Sequence, residues 1–236
     1  MRKTQFTKVF LLAGLMVAFL SGNAQKLPAF KSETLKKGPV TLPYTDMISY
    51  YGYVKPGAAP DETRDGKKYY YLYIWVPAVA PELGIRMVSP APKEMKPAEG
   101  DFIADNWKEA EADTKNYFDT WVTLEKAADI TKAEEIVSKV KATKWNSFGS
   151  NDDSSELPAN PGGSKYNSVL RVISEPSNPL KALTVGLYRI GFTTYKVGEV
   201  QGSFLAQVGA PVKLPGVFIA KDPQSLVDAM NKKKDK

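Results

Sequence analysis

The stretch "KKYYYLYIWV" (67–76) carries aromatic or branched residues at both odd and even positions. Successive side chains of a strand point to opposite faces, so a strand of this composition needs cover on both sides. Six further segments share its character: "DMISYYGYVK" (46–55), "GIRMVS" (84–89), "YFDTWVTLEK" (117–126), "KYNSVLRVIS" (165–174), "LTVGLYRIGFTTYK" (183–196) and "GSFLAQVG" (202–209). Gly, Pro and Asn separate them, and Asp65-Gly66 reads as a turn between the first two strands of the series. Seven such strands with only peripheral helices predict a mostly β fold, a β-sandwich. Tyr50, Tyr51, Tyr53, Tyr69, Tyr70, Tyr71 and Tyr73 fall on two of these strands, and two arrangements can absorb them. Either one register packs in the sandwich while the other lies under helices and the connection from 90 to 116, or the outward set forms an exposed binding surface.

Two segments carry helical periodicity. Thr131-Lys132-Ala133-Glu134 has capping-box spacing, followed by Ala133, Ile136, Val137 and Val140 on one face. Asp222-Pro223 reads as an N-cap with Pro at the first helical position, Leu226, Val227 and Met230 form the apolar stripe, and a lysine-rich tail sits at the favourable end of the dipole.

Residues 1–24 combine a basic start (Arg2, Lys3, Lys8), an apolar run from Val9 to Leu20 and small residues up to Ala24, the pattern of an export signal. Residues 25–236 are then expected to form a single β-sandwich domain with a C-terminal helix and the Lys-rich tail. No later run approaches the length of a transmembrane helix. Removing the three basic residues of the leader lowers the formal charge from +6 to a mild positive excess, which does not argue for nucleic acid. The sequence contains no cysteine and no histidine. That excludes disulfides, a Ser-His-Asp triad, a thiol nucleophile and zinc sites of the usual nitrogen and sulfur type, so the expectation is a protein that binds and does not catalyse. Residue 25 is Gln where a lipoprotein carries its acylated cysteine, so no lipid anchor is expected there.

The segments "ISYYGYVKPGAAPD" (48–61), "YYLYIWVPAV" (70–79), "ELGIRMVSP" (82–90), "FDTW" (118–121), "KYNSVLR" (165–171) and "GLYRIGFTTYKVGEVQGSF" (186–204) closely resemble the family of the major outer-membrane lipoprotein of pathogenic Leptospira. The resemblance runs in order from about residue 44 to 220. It implies a jelly-roll β-sandwich, a calcium site and an association with adhesion to extracellular-matrix proteins. Carried over by motif, the calcium ligands it implies are Asp119 and Thr120 in "FDTW", Asp152 and Asp153 in "FGSNDDSSELPANPGG" (148–163), and Tyr166 in "KYN". The chemistry is consistent, because Ca²⁺ takes six to eight oxygens and three carboxylates with a hydroxyl and carbonyls can supply them. Asp119 and Thr120 are neighbours on a strand, so both ligate only if the strand bends or Thr120 also uses its carbonyl. By composition alone, an Asp pair in a Ser/Gly/Pro loop is equally a solvated turn.

The expectation is therefore an exported calcium-binding protein of the cell envelope, located in the periplasm, at the outer-membrane surface or secreted. Its expected partners are extracellular-matrix or envelope proteins. The alternatives are a carbohydrate-binding or carbohydrate-active jelly roll, which needs two carboxylates flanking a groove, and a purely structural envelope component.

Overall fold

The computed structural model describes residues 31–234 except 45, 94, 153, 156, 158–165 and 197. The leader 1–24, Asp153 and the last two residues of the tail lie outside the described residues. The strands are β1 (Lys31–Lys37), β2 (Val40–Pro43), β3 (Asp46–Val54), β4 (Glu62–Arg64), β5 (Lys67–Val76), β6 (Glu82–Val88), β7 (Phe102–Ile103), β8 (Thr120–Ala127), β9 (Trp145–Asn151), β10 (Asn167–Ile173), β11 (Gly186–Thr194), β12 (Gly202–Ala210) and β13 (Phe218–Ala220). The helices are α1 (Trp107–Ala112), α2 (Ile136–Lys139) and α3 (Pro223–Lys234), with a 3-10 turn at Ala133–Glu135 before α2.

Two sheets face each other, one in the order β10-β6-β12-β3-β7 and the other β13-β5-β11-β8-β9. Number the eight long strands (β3, β5, β6, β8, β9, β10, β11, β12) from one to eight along the chain. The sheets then read 1-8-3-6 and 2-7-4-5, which is jelly-roll connectivity. Between the sheets lie Tyr70, Leu72, Ile74 and Val76 of β5, Leu83, Ile85 and Met87 of β6, and Tyr188, Ile190 and Phe192 of β11. Phe192 meets Phe204 of β12 at 4.8 Å between ring centroids, and Phe118 stacks on Phe192 at 5.9 Å.

The opposite faces are also covered, which decides between the two arrangements of the tyrosines. On the first sheet, Tyr51 packs edge-on against Trp107 of α1 at 5.3 Å, beside Tyr44, Met95 and Leu157. On the second, α2 and α3 bury Trp75, Leu187 and Phe218 under Ile136, Leu226 and Met230. Further along that face the Arg189 guanidinium lies 3.9 Å from the Tyr71 ring centroid and 4.2 Å from that of Trp145, and its Nε donates to Glu125 at 2.6 Å. Arg64 of β4 reaches over the same face to Glu125 (2.9 Å) and to the Tyr71 hydroxyl (2.9 Å). Tyr51 and Tyr71 are each 2 % exposed. Tyr50, Tyr51, Tyr69, Tyr70 and Tyr71 are buried in two layers and Tyr53 and Tyr73 are half-buried, so the set does not form an exposed surface.

All seven expected strands form, with shifted ends. Asp65 and Gly66 do make a tight turn, both with positive φ (51° and 76°), but it joins β4 to β5; β3 and β5 lie in different sheets. The capping box at Thr131 does not form. Lys132 precedes a 3-10 turn without a side-chain cap, and Val137 is exposed while Ile136 is buried. At α3 the expectation holds: the Ser225 N–H donates to Asp222 Oδ1 at 2.9 Å, and Leu226 and Met230 are buried. Among the described residues no helix is long and apolar enough to cross a membrane.

The β1-β2 hairpin stands outside both sheets and is held by one buried carboxylate. Glu82, at the start of β6, accepts from Ser32 Oγ (2.8 Å), Thr34 Oγ1 (2.8 Å), the Glu33 N–H (3.2 Å) and the Tyr44 hydroxyl. Burial alone would raise the pKa of Glu82, but the donors from Tyr44, Ser32, Thr34 and Glu33 outweigh it and hold it below the usual glutamate value. A depressed folded pKa means that this contribution is complete above the unfolded value of about 4.3 and is lost as pH falls through the folded value. Hydrogen exchange in residues 31–43, corrected for intrinsic rates, should therefore accelerate on acidification below about pH 4. Glu82→Gln should produce the same opening at neutral pH, at about 2–4 kcal/mol; unchanged protection in the variant would contradict the clamp. Tyr71→Ala should cost about 3–5 kcal/mol in a denaturant titration, whereas an exposed tyrosine would cost almost nothing.

Candidate metal centre at one end of the sandwich

Three strand ends meet where the resemblance implies a metal. Asp119 immediately precedes β8, and its carbonyl accepts the Tyr195 N–H at 3.0 Å, which carries the β8-β11 ladder one residue past the Thr194–Thr120 pair. β9 runs antiparallel to β8 with Asn151 opposite Val122, so Asp152 emerges next to the start of β8. Tyr166 immediately precedes β10, which belongs to the other sheet.

Side-chain hydrogen bonds pull these ends together across the sandwich. Ser168 Oγ of β10 donates to the Thr120 carbonyl at 2.7 Å and lies 2.8 Å from Thr120 Oγ1. A serine hydroxyl has one proton, so in the second bond Thr120 is the donor, and the lone pairs of its oxygen stay available. Asn151 Nδ2 donates to the Val169 carbonyl at 2.6 Å, and the Ser154 N–H donates to Asn167 Oδ1 at 3.3 Å, tying the start of the acidic loop to β10. The Tyr166 carbonyl accepts the Ser89 N–H at 3.1 Å and keeps a second lone pair, while its ring packs on Tyr117 at 5.2 Å.

The structure thus brings Asp119, Thr120, Asp152 and Tyr166 to one end of the molecule, and Asp153 lies outside the described residues. Thr120 is fully buried; Asp119, Asp152 and Tyr166 are half-buried. The ladder continues through Asp119 without a bulge, so Asp119 and Thr120 keep the opposite side-chain directions of a regular strand. Among the described residues no three acidic side chains gather closely enough to hold a metal ion; Asp119 and Asp152 are the two described carboxylates of the set. Every donor in the set is an oxygen, which suits a hard cation such as Ca²⁺ and not a soft one. Ser168, Asn151 and Asn167 position the site and are not among its sequence-derived residues. Ser168 and Asn167 follow Tyr166 directly in "KYNSVLR", so they were in view, but only the inter-sheet contact shows what they do.

Over residues 38–219 the chain matches the family described as surface lipoprotein of Spirochaetales order. Among curated proteins none matches the chain. The matched span runs from the β1-β2 hairpin to β13 and contains both sheets and the three strand ends. The sequence holds no cysteine, so it offers no thiol for the thioether-linked lipid that gives such proteins their name. With the match covering most of the sequence and both sheets, the chain belongs to the surface lipoproteins of the order Spirochaetales.

Proposed function

We propose that this protein is an exported calcium-binding module of the cell-envelope surface that acts by binding other macromolecules, matrix or envelope proteins, and not by catalysis. The observation that carries this reading is the convergence of an all-oxygen donor set at the ends of β8, β9 and β10 under the Thr120–Ser168 contact. Asp119 and Asp152, with Asp153 next in sequence, would supply three negative charges to a doubly charged ion, and the Thr120 and Tyr166 carbonyls, each with a lone pair left beside its hydrogen bond, would add to them; the Thr120 hydroxyl, directed opposite to the Asp119 side chain, stays with Ser168. Such an ion would link β8 and β9 of one sheet to β10 of the other. The leader 1–24 supports export, and family membership supports the envelope surface.

A ligand that binds only the folded state stabilises it by RT ln(1 + [L]/Kd), so calcium at about a hundred times its Kd should add about 2.7 kcal/mol. For a domain of this size that is a rise in melting temperature of about 5–10 °C. Magnesium should do much less, because it demands a tighter octahedron. Replacing Asp152 and Asp153 together by Asn should abolish the shift and leave the calcium-free protein folded, and Asp119→Asn should weaken it. Thermal melts of the three proteins with calcium and with chelator make the comparison. No shift in the unmodified chain at millimolar calcium would refute the calcium reading, and an equal shift in all three would move the ion elsewhere. Pull-down of matrix and envelope proteins with calcium and with chelator tests the binding role.

A further inference from the structure

The side of the sandwich away from β9 and β10 is closed only by short strands, which touch through Phe102 and Phe218. Its edge strands are β7, two residues long, and β13, three residues long. Between them, roofed by α3, a cleft of about 640 Å³ runs inward to the central strands. Its floor is aromatic: Phe192, Phe204 and Tyr50, with the Tyr50 ring stacked on Phe204 at 6.2 Å.

Tyr50 is 6 % exposed and lines this cleft, yet no described residue hydrogen-bonds its hydroxyl. The hydroxyl oxygen is not sealed from solvent, so within the cleft it is water or a guest that meets it, and a phenylalanine would stack on Phe204 equally well. Burial, with Asp105 and Asp222 nearby, pushes the Tyr50 pKa up, so the group remains a protonated donor. The mouth is acidic. Asp105, Asp222 and Asp228 line it against Lys221 and Lys232, and Lys221 is already held by Asp61 at 2.6 Å. Asp222 caps α3 through Ser225 and Asp228 Oδ1 accepts from Gln224 Nε2 at 2.9 Å, which leaves Asp105 and the second oxygen of Asp228 as the carboxylate groups available to a guest.

We propose that this cleft binds a small organic cation with an apolar body, its body against Tyr50 and Phe204, the Tyr50 hydroxyl hydrogen-bonded to it, and its ammonium group between Asp105 and Asp228. The volume fits a ligand of one ring and a short chain. Aromatic faces attract a cation as well as an apolar body, and the negative mouth disfavours fatty acids and phosphates, which would otherwise suit an apolar floor. The site is separate from the metal centre, since none of the metal-ligand residues lines it.

Tyramine is the probe, with 4-hydroxyphenylacetate as its anionic counterpart, each titrated into the folded chain and followed by ligand-observed NMR. Tyramine should bind with a Kd on the order of 1 mM or tighter, and the anion at least about tenfold more weakly. Tyr50→Phe should weaken tyramine about fivefold through the lost hydrogen bond while the melting temperature holds or rises. Asp105→Asn combined with Asp228→Asn should remove the preference for the cation and leave the fold intact. Absence of tyramine binding to the unmodified chain, equal binding of cation and anion, or binding indifferent to both sets of substitutions would overturn the proposal.

Discussion

The structure depends on one ring seated over one glycine. Phe204 of β12 lies opposite Gly52 of β3, and a Cβ at Gly52 would stand 2.0 Å from Phe204 Cζ. Any larger residue at position 52 would evict the ring from its place between the sheets. From that place Phe204 meets Phe192 of the second sheet and the edge of Phe118, at 4.8 and 6.3 Å. The contact does more than bury apolar area. Phe118 is followed at once by Asp119 and Thr120, so the cluster that holds the sheets together also fixes where β8 begins. Phe204 and Phe192 are at the same time the floor of the open cleft. Both candidate sites are therefore built outward from the same three rings.

Seven of the eight long strands were legible because each is rich in β-branched and aromatic residues, a composition that only a covered, pleated surface satisfies. What was not legible has local causes. β9, "WNSFGSN", is polar and contains a glycine, so its strand character comes from pairing with β8 and not from its own residues. β7 and β13 are too short for any period to show. The Asp65-Gly66 turn was correctly read as a turn, but its upstream partner is the three-residue, polar β4, which pattern alone cannot separate from a loop. The tyrosines left two arrangements open because sequence gives their alternation and not their cover. That cover comes from distant segments: Trp107 of α1 on one face, Arg64, Arg189 and Trp145 on the other. Gly191 repeats the device of Gly52 there, since a Cβ would come 2.5 Å from Thr123 Oγ1 and 3.1 Å from the Tyr71 ring.

The candidate metal residues were legible only through motif resemblance. By composition they are a polar strand start, an acidic loop and a tyrosine, at positions separated by up to 47 places in the sequence. Their convergence follows from jelly-roll connectivity, in which the fourth and fifth long strands pair in one sheet while the sixth crosses to the other. No spacing rule encodes that crossing. The Thr120–Ser168 bond is the local consequence, a polar pair buried between sheets whose inward residues are mostly apolar. Such a pair fixes the register of β8 against β10 more sharply than apolar packing does, since a slip of either strand would leave two hydroxyls unsatisfied.

The two lateral sides of the sandwich are closed by different means, and this separates their possible roles. At the β9–β10 side the edge strands are long and are stitched by Asn151 to the Val169 carbonyl, with Leu170 lying 3.5 Å from where a Cβ of Gly149 would be. An ion there would add to a contact that already exists, so its effect would be on stability, with little change of shape. At the β7–β13 side the edges are short and touch through the rings of Phe102 and Phe218, 5.9 Å apart, and α3 lies over them from its cap at Asp222 with Leu226 and Met230 turned to the core. A guest on that side would meet the Tyr50 hydroxyl, which no described residue hydrogen-bonds. The two sides thus differ in what holds them, one by hydrogen bonds between long strands and the other by a helix laid over short ones, and the same aromatic cluster of Phe118, Phe192 and Phe204 lies between them.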